Sequence, residues 1–219
     1  MNLAEGKPPQ KGRLRPGLAA VQVLILVACT PQTPTLAIDT RLAAQVPGDA
    51  SAIVGFRPAE MGGVAASFGD ARYVLAWVRG GEVGSAILAA DGSVSGSGQA
   101  TSSRSPLLAE AEPLAAQYPA WAVIRGGTRL PLQGNLANLN NLLVDPELVT
   151  AGIRSGDGYA VELTARCPTE DRARHFEGSL RAVLLLIQAG RAAQVQREGT
   201  TVRASMTVPV EMLGKLGQR

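Results

Sequence analysis

The sequence predicts an α+β fold: an antiparallel sheet with helices on one side. Three observations support this prediction. Short apolar segments with a two-residue period are separated by turn residues, longer segments show helical periodicity, and the order strand–helix–hairpin–helix occurs twice. This order is typical of helices packed against one face of an antiparallel sheet. Aromatic residues make up only 4% of the chain, so we expect a core of Val, Leu, Ile and Ala.

The first half of the body, residues 46–118, is expected to begin with a β-branched strand. A short helix should follow, because Pro58 suits the first position of a helix, and Gly80 with Gly81 should turn a hairpin. A Gly/Ser-rich stretch then leads to a second helix, which Pro113 disturbs. The predicted elements are a strand at 52–56, a helix at 58–68, hairpin strands at 72–78 and 83–89, and a helix from Ser105.

The second half, residues 119–219, repeats this order and adds a closing hairpin. Gly156 and Gly199 mark its turns. The predicted elements are a strand at 121–125, a helix at 135–143, hairpin strands at 149–154 and 158–166, a long helix at 168–189, hairpin strands at 193–197 and 201–208, and a short helix from Pro209.

The long helix has the clearest pattern of these elements. Glu170 and Asp171 occupy its first turn, where the helix dipole favours acidic side chains, and Gly190 provides a stop. Its apolar residues recur at three- and four-residue steps, so we expect the helix to pack along one stripe. The stripe consists of Ala173, Phe176, Leu180, Val183, Leu184 and Ile187.

Two segments, 52–118 and 121–189, share the order βαββα, and a third copy begins near the carboxyl terminus. The sequence Pro58-Ala-Glu-Met-Gly-Gly63 is similar to Pro209-Val-Glu-Met-Leu-Gly214. We therefore predict two ferredoxin-like βαββα repeats and a closing βα unit. The strand 201–208 should pair within the same sheet, because an unpaired apolar edge favours aggregation.

The first 28 residues have the features of an export signal. Four basic residues precede an apolar stretch, 17–28, which is interrupted only by Gln22. As a helix this stretch would extend about 18 Å, too little to cross a hydrocarbon core of about 30 Å. It ends in the tetrapeptide Leu26-Val27-Ala28-Cys29.

This tetrapeptide resembles the lipobox of bacterial lipoproteins, in which a Leu, a small or β-branched residue and Ala or Gly precede a Cys. The resemblance implies removal of residues 1–28, diacylation of the Cys29 thiol and acylation of the new amino terminus, typically with palmitate. More than one acyl chain gives stable anchoring to a lipid bilayer. Residues 29–45 would then be a lipidated spacer, and the body would lie in the periplasm or at the cell surface, anchored to the inner or outer membrane.

The charge of the mature chain argues against a nucleic-acid partner. The whole chain has 21 Lys and Arg and 18 Asp and Glu, of which residues 1–28 contribute four and one. Subtraction leaves 17 basic and 17 acidic residues, a formal net charge of zero, with no concentrated basic patch.

Asp171, His175 and Ser179 are the best candidates for catalysis, because they include the only His and follow one another at four-residue steps. They could supply an acid, a base and a nucleophile. A working triad also needs an exposed nucleophile beside an oxyanion hole, which the side of a straight helix does not provide. The alternative is a solvated helix face with a modest Asp171–His175 pair.

We predict neither a metal nor a cofactor, because the single His, Cys167 and the scattered carboxylates lack paired-ligand spacing. Cys167 is either a reactive thiol or, more simply, a buried small residue. Trp77 and Trp121 should lie in strands of equivalent repeats. They either pack in the core or line a groove for an apolar ligand.

We therefore expect a non-enzymatic exported lipoprotein that serves as an interaction or scaffold module, with other envelope proteins as partners. One alternative is an envelope protein that binds an apolar ligand in a cavity of about 300 Å³ or more. A second alternative is an envelope hydrolase that uses His175 with Ser179 or Cys167. The start of the body, Val46-Pro-Gly-Asp-Ala50, resembles an opening that recurs in uncharacterised lipoproteins of GC-rich proteobacteria and implies no activity.

Overall fold

A single antiparallel sheet of nine strands dominates the structure, so the predicted α+β class with an antiparallel sheet is confirmed. The computed structural model describes residues 38–61, 68–97, 103–132, 134–186 and 193–209. The strands are β1 (Ala52–Phe56), β2 (Ala71–Arg79), β3 (Glu82–Ala89), β4 (Val94–Gly96), β5 (Ala120–Arg125), β6 (Leu148–Ser155), β7 (Tyr159–Arg166), β8 (Gln194–Glu198) and β9 (Thr201–Val208). Their order across the sheet is β4-β3-β2-β1-β5-β6-β7-β9-β8.

Three α-helices accompany the sheet in the described residues: α1 (Thr40–Ala43), α2 (Leu107–Gln117) and α3 (Glu170–Leu186). None of the described helices is long and apolar enough to span a membrane. α3 is the predicted long helix; the last predicted residues, 187–189, lie outside the described residues.

Two predicted helices are 3₁₀ segments in the structure. The first covers only Pro58–Glu60 before the undescribed residues 62–67, and the second covers Gly134–Val144. Asn140 explains part of the second difference. Its side chain accepts a hydrogen bond from the Leu130 N–H at 2.8 Å and donates one to the Leu130 carbonyl at 3.0 Å, so the segment is tied to a neighbouring loop.

α2 and α3 cover opposite faces of the sheet, so the prediction of helices on one side is wrong. Val123 of β5 lies directly opposite Thr150 of β6, and side chains alternate along a strand; Val149 therefore points to the other face. Val123 packs in a core with Leu108 of α2, whereas Val149 packs in a second core with Phe176 of α3. We call the α2 side face 1 and the α3 side face 2.

The packed body begins earlier than predicted. Ile38 and Leu42 are buried in the face-1 core together with Val46, although residues 29–45 were expected to be a spacer. Asp39 caps α1, because its Oδ1 accepts a hydrogen bond from the Arg41 N–H at 2.8 Å. Residues 38–45 therefore belong to the packed body and not to a spacer.

Both edges of the sheet are formed by short strands. β4 lies in the stretch predicted as a Gly/Ser-rich linker and pairs with β3 over three residues. β9 pairs with β7 on one side and β8 on the other, which confirms that the closing strand belongs to the same sheet. Short edge strands limit pairing with other chains.

The two halves share a three-stranded meander, but the ferredoxin-like repeats are not confirmed. β1-β2-β3 and β5-β6-β7 are both antiparallel meanders, and they meet where β1 pairs with β5. In a ferredoxin-like half-unit a helix connects two parallel strands, whereas β1 and β2 are direct antiparallel neighbours. The second copy of the Pro-x-Glu-Met motif lies mostly beyond residue 209, outside the described residues.

Three aromatic rings on face 1 cover glycines of an adjacent strand. A Cβ added at any of these glycines would lie 2.3–2.5 Å from the nearest ring atom, so no other residue fits without displacing the ring. The pairs are Trp121 with Gly55, Trp77 with Gly84, and Tyr118 with Gly152.

Candidate functional site

One end of the sheet brings together most of the residues that could carry chemistry. β5 and β7 finish there, β6 begins there, and the first turns of α3 follow. Two backbone hydrogen bonds fix this end: the Gly126 N–H donates to the Glu147 carbonyl at 2.8 Å, and the Glu147 N–H donates to the Arg166 carbonyl at 2.7 Å. We call this region the β5–β7 end.

Asp145 and His175 form a hydrogen-bonded pair at the β5–β7 end. The Asp145 side chain is only 6% exposed; it accepts a hydrogen bond from His175 Nδ1 at 2.5 Å and one from Arg172 Nη1 at 2.9 Å. Burial alone would raise the pKa of Asp145, but the hydrogen bonds from His175 and Arg172 outweigh it and lower that pKa. The carboxylate is therefore ionised at neutral pH.

The imidazole itself faces solvent. The His175 side chain is 73% exposed, and its Nε2 has no hydrogen-bond partner among the described residues. A buried carboxylate that holds Nδ1 while Nε2 remains accessible is the arrangement of a general base oriented by an acid.

The predicted line of Asp171, His175 and Ser179 is not assembled as expected. Asp171 is 88% exposed and pairs with Arg174 at 2.9 Å, not with His175. Ser179 lies one turn beyond His175 and is half-buried. The sequence does not reveal Asp145 as the partner of His175, because Asp145 is 30 residues away in a loop before β6, where no spacing rule applies.

Cys167 is a buried thiol rather than a reactive one. It follows β7, and its N–H donates to the Thr200 carbonyl at 2.9 Å. Burial, together with the nearby carboxylates of Asp145 and Glu147, raises the pKa of the thiol. The neutral form is a weak nucleophile at pH 7.

Trp77 and Trp121 pack in the face-1 core. They are 4% and 1% exposed, and the Trp121 indole N–H donates to the Tyr73 hydroxyl at 2.8 Å. Burial raises the pKa of Tyr73 to about 12. Neither indole lines either of the two depressions described below, so the geometry of the described residues supports core packing rather than a groove for an apolar ligand.

A depression of about 360 Å³ also lies at the β5–β7 end. Arg125 and Arg129 line it on the β5 side, and the β2–β3 turn, Gly80 and Gly81, lines it on the other. We call it the arginine cleft. The Thr128 hydroxyl, which also lines it, donates its single proton to the Arg125 carbonyl at 2.6 Å, and the Ser51 carbonyl, at 3.1 Å, is a second acceptor within reach of the same proton.

A second depression, of about 230 Å³, lies on face 1 between β7, β8 and β9. It has mixed charge, since Glu162 and Arg203 both line it. Glu162 accepts hydrogen bonds from the Tyr118 hydroxyl at 2.6 Å and from Arg154 at 2.7 Å, which lower its pKa. The carboxylate is thus already satisfied by the protein.

No three His, Cys, Asp or Glu side chains in the described residues lie close enough together to hold a metal ion. Cys29 and the predicted export signal, residues 1–28, lie outside the described residues. No family model, curated protein sequence or solved structure matches the chain. The roles of these residues therefore follow from geometry alone.

Proposed function

We propose that the chain is an exported bacterial lipoprotein, held to the cell envelope by acylated Cys29, whose body is a non-enzymatic interaction or scaffold module. One observation carries the proposal: the tetrapeptide Leu26-Val27-Ala28-Cys29 closes a short apolar stretch that follows four basic residues. Envelope proteins are the proposed partners.

Two large apolar side chains exposed on face 2 agree with an interaction role. α3 packs against β8 and β9, and no α-helix of the described residues packs on the same face of β1, β2 and β3. Most apolar side chains there are nevertheless buried, as Val74 and Val78 show, whereas Val54 and Val83 are 39% and 58% exposed. These two valines are separate points of contact that a partner could cover, not one continuous apolar patch.

A repeated architecture is the second part of the proposal. The meanders β1-β2-β3 and β5-β6-β7 have the same internal order, and an α-helix follows each of them in the chain. These similarities support descent from one duplicated unit. An experimental structure in which the two meanders superpose strand for strand would favour duplication, and unrelated strand twists and lengths would contradict it.

Acylation of Cys29 can be tested against a matched control, because Cys167 is the only other cysteine. We expect wild type and Cys167→Ser to incorporate labelled palmitate in a bacterial host and to fractionate with membranes. Cys29→Ser should do neither. Wild-type protein that is unacylated and recovered in the soluble fraction without detergent would overturn the proposal.

The hydrolase alternative retains one favourable observation, the Asp145–His175 pair. Purified protein can be assayed with p-nitrophenyl esters of short acids, comparing His175→Ala with the exposed control Arg174→Ala. Hydrolysis that is abolished only by His175→Ala would replace the interaction role with a catalytic one. Equal background rates in all three proteins would support the non-enzymatic proposal.

A further inference from the structure

Among the residues that the structure describes, ion pairing leaves two neighbouring arginines without a counter-charge. The described residues contain fourteen arginines, and eleven of them form an ion pair with a carboxylate. The remaining three are Arg72, Arg125 and Arg129. Two of these three, Arg125 and Arg129, line the arginine cleft, and no acidic side chain of the described residues lines it with them.

The opposite wall of the cleft offers backbone donors. Gly80 and Gly81 have φ values of 57° and 89°, which only glycine adopts readily, and neither has a Cβ to keep a ligand away from the backbone. In the described residues neither amide donates a backbone hydrogen bond. The cleft is therefore lined by two arginines on one side and, on the other, by two glycines whose amides donate no backbone hydrogen bond in the described residues.

The backbone that carries the two arginines, the last residue of β5 and the loop after it, is held by hydrogen bonds within the protein. The Gly127 N–H donates to the Leu143 carbonyl at 2.6 Å, and the Arg125 N–H donates to the Ser51 carbonyl at 2.8 Å. Thr128 is buried and closes the loop through its hydroxyl. Because the backbone is already ordered, binding does not require the loop to be immobilised.

We propose that the arginine cleft binds a phosphate group. A guanidinium group donates two parallel hydrogen bonds to phosphate, and two guanidinium groups match the double negative charge of a phosphate monoester better than the single charge of a carboxylate. The volume of about 360 Å³ exceeds that of the phosphate itself, so it also accommodates the group that carries it. The carrier is either a soluble phosphate monoester or the headgroup of a phospholipid.

Calorimetry on the full chain, with inorganic phosphate and with glucose 6-phosphate as probes, tests the site. Arg125→Gln or Arg129→Gln should weaken binding about tenfold or more, because each removes a charge-assisted pair of hydrogen bonds. Arg72→Gln is the matched control, since Arg72 is also unpaired but does not line the cleft. It should change the affinity less than about twofold. Arg125→Lys should bind more tightly than Arg125→Gln, because it keeps the charge.

Flotation with phosphatidylcholine vesicles, with and without phosphatidic acid, distinguishes the two carriers. The Cys29→Ser chain is used here so that acyl chains do not bring the protein to the vesicles. Binding of phosphatidic acid that Arg129→Gln abolishes assigns a lipid headgroup, and binding of glucose 6-phosphate alone assigns a soluble ester.

The proposal fails if no probe binds saturably at millimolar concentration, or if Arg72→Gln loses as much affinity as the two cleft variants. It does not rest on Cys29: an unacylated wild type would overturn the proposed function and leave the phosphate result standing. Thermal melts of each variant show whether the protein is folded in every arm.

Discussion

Replacing Gly55 by Ala tests the packing of face 1 at its most crowded point. The added Cβ would lie 2.3 Å from Trp121 Cζ2, 2.5 Å from Cε2 and 2.7 Å from the Tyr73 hydroxyl oxygen. Ordinary contacts between such atoms are about 3.5 Å or more, so the indole must move by roughly 1 Å. Trp121 is only 1% exposed, which leaves the ring no free space.

The expected cost combines two effects. Overpacking a filled core costs about 1–3 kcal/mol. Displacing the indole also breaks its 2.8 Å hydrogen bond to Tyr73, which contributes about 1 kcal/mol. The lower backbone entropy of Ala in the unfolded chain returns about 0.5–1 kcal/mol, so the free energy of unfolding should fall by about 1–3.5 kcal/mol.

Urea unfolding followed by tryptophan fluorescence measures this change, because the only two tryptophans, Trp77 and Trp121, are both in the face-1 core. Gly178→Ala is the matched control. Gly178 lies inside α3 with nothing within 4 Å of an added Cβ, so this change should stabilise the protein by about 0.5–1 kcal/mol. If Gly55→Ala shifts the midpoint as little as Gly178→Ala, or in the same direction, the packing argument is refuted.

Phe176→Ala should lower the free energy of unfolding by about 3–5 kcal/mol, because the ring is buried in the face-2 core. The control Arg174→Ala, on the exposed side of α3, should leave the urea midpoint unchanged. Equal effects of the two changes would show that the apolar stripe of α3 is misassigned. Arg172→Ala should cost about 1–2 kcal/mol at pH 7, because buried Asp145 loses a charged donor. Since the folded pKa of Asp145 is lowered, this difference should be full above about pH 4 and shrink as the pH falls further; a pH-independent difference would contradict it. Burial raises the pKa of Tyr73 to about 12, whereas the phenol ionises near pH 10 in the unfolded chain, so the free energy of unfolding should fall between about pH 10 and 12. Tyr73→Phe should reduce that fall. A Tyr73 phenol that ionises near pH 10 in the folded protein would be inconsistent with its burial.

Eight of the nine strands could be predicted from the sequence because their signals are local; β4, in a Gly/Ser-rich stretch, has no such signal. β1 and β9 have the predicted bounds, 52–56 and 201–208. A short β-branched segment marks β1, alternating apolar residues mark β9, and flanking turn residues set both ends without reference to the neighbouring strands. The segment Gly134–Val144 was harder. Its spacing suits any helical form, and the contact of Asn140 with Leu130, which accompanies the 3₁₀ form, is between segments.

The sides on which the helices pack could not be predicted, because they depend on register. Alternation shows which residues of one strand share a face, but it does not show which of them lies opposite a given residue of the next strand. A shift of one residue in the pairing of Val123 with Thr150 would place Val149 on face 1. The same shift would put α3 beside α2.

Burial, not spacing, decided the partner of His175. The four-residue step favours Asp171 as the partner. Asp171 is 88% exposed, so water already solvates its carboxylate and an ion pair adds little stability. Asp145 is 6% exposed, and burying its ionised carboxylate without hydrogen-bond donors would cost free energy of folding. Its carboxylate therefore accepts hydrogen bonds from both His175 and Arg172. A sequence pattern shows neither burial nor a contact across 30 residues.

Solvation also decides which unpaired arginines indicate a binding site. A solvated guanidinium group needs no partner, so lack of an ion pair alone, as at Arg72, does not indicate a site. Arg125 and Arg129 differ from Arg72 because they line one depression together with Gly80 and Gly81, and backbone hydrogen bonds hold the end of β5 and the loop after it in place. A bound anion needs several hydrogen-bond donors around one volume, which a single exposed arginine does not provide. The Arg72→Gln control therefore shows whether any loss of phosphate binding comes from the cleft or from a general loss of positive surface charge.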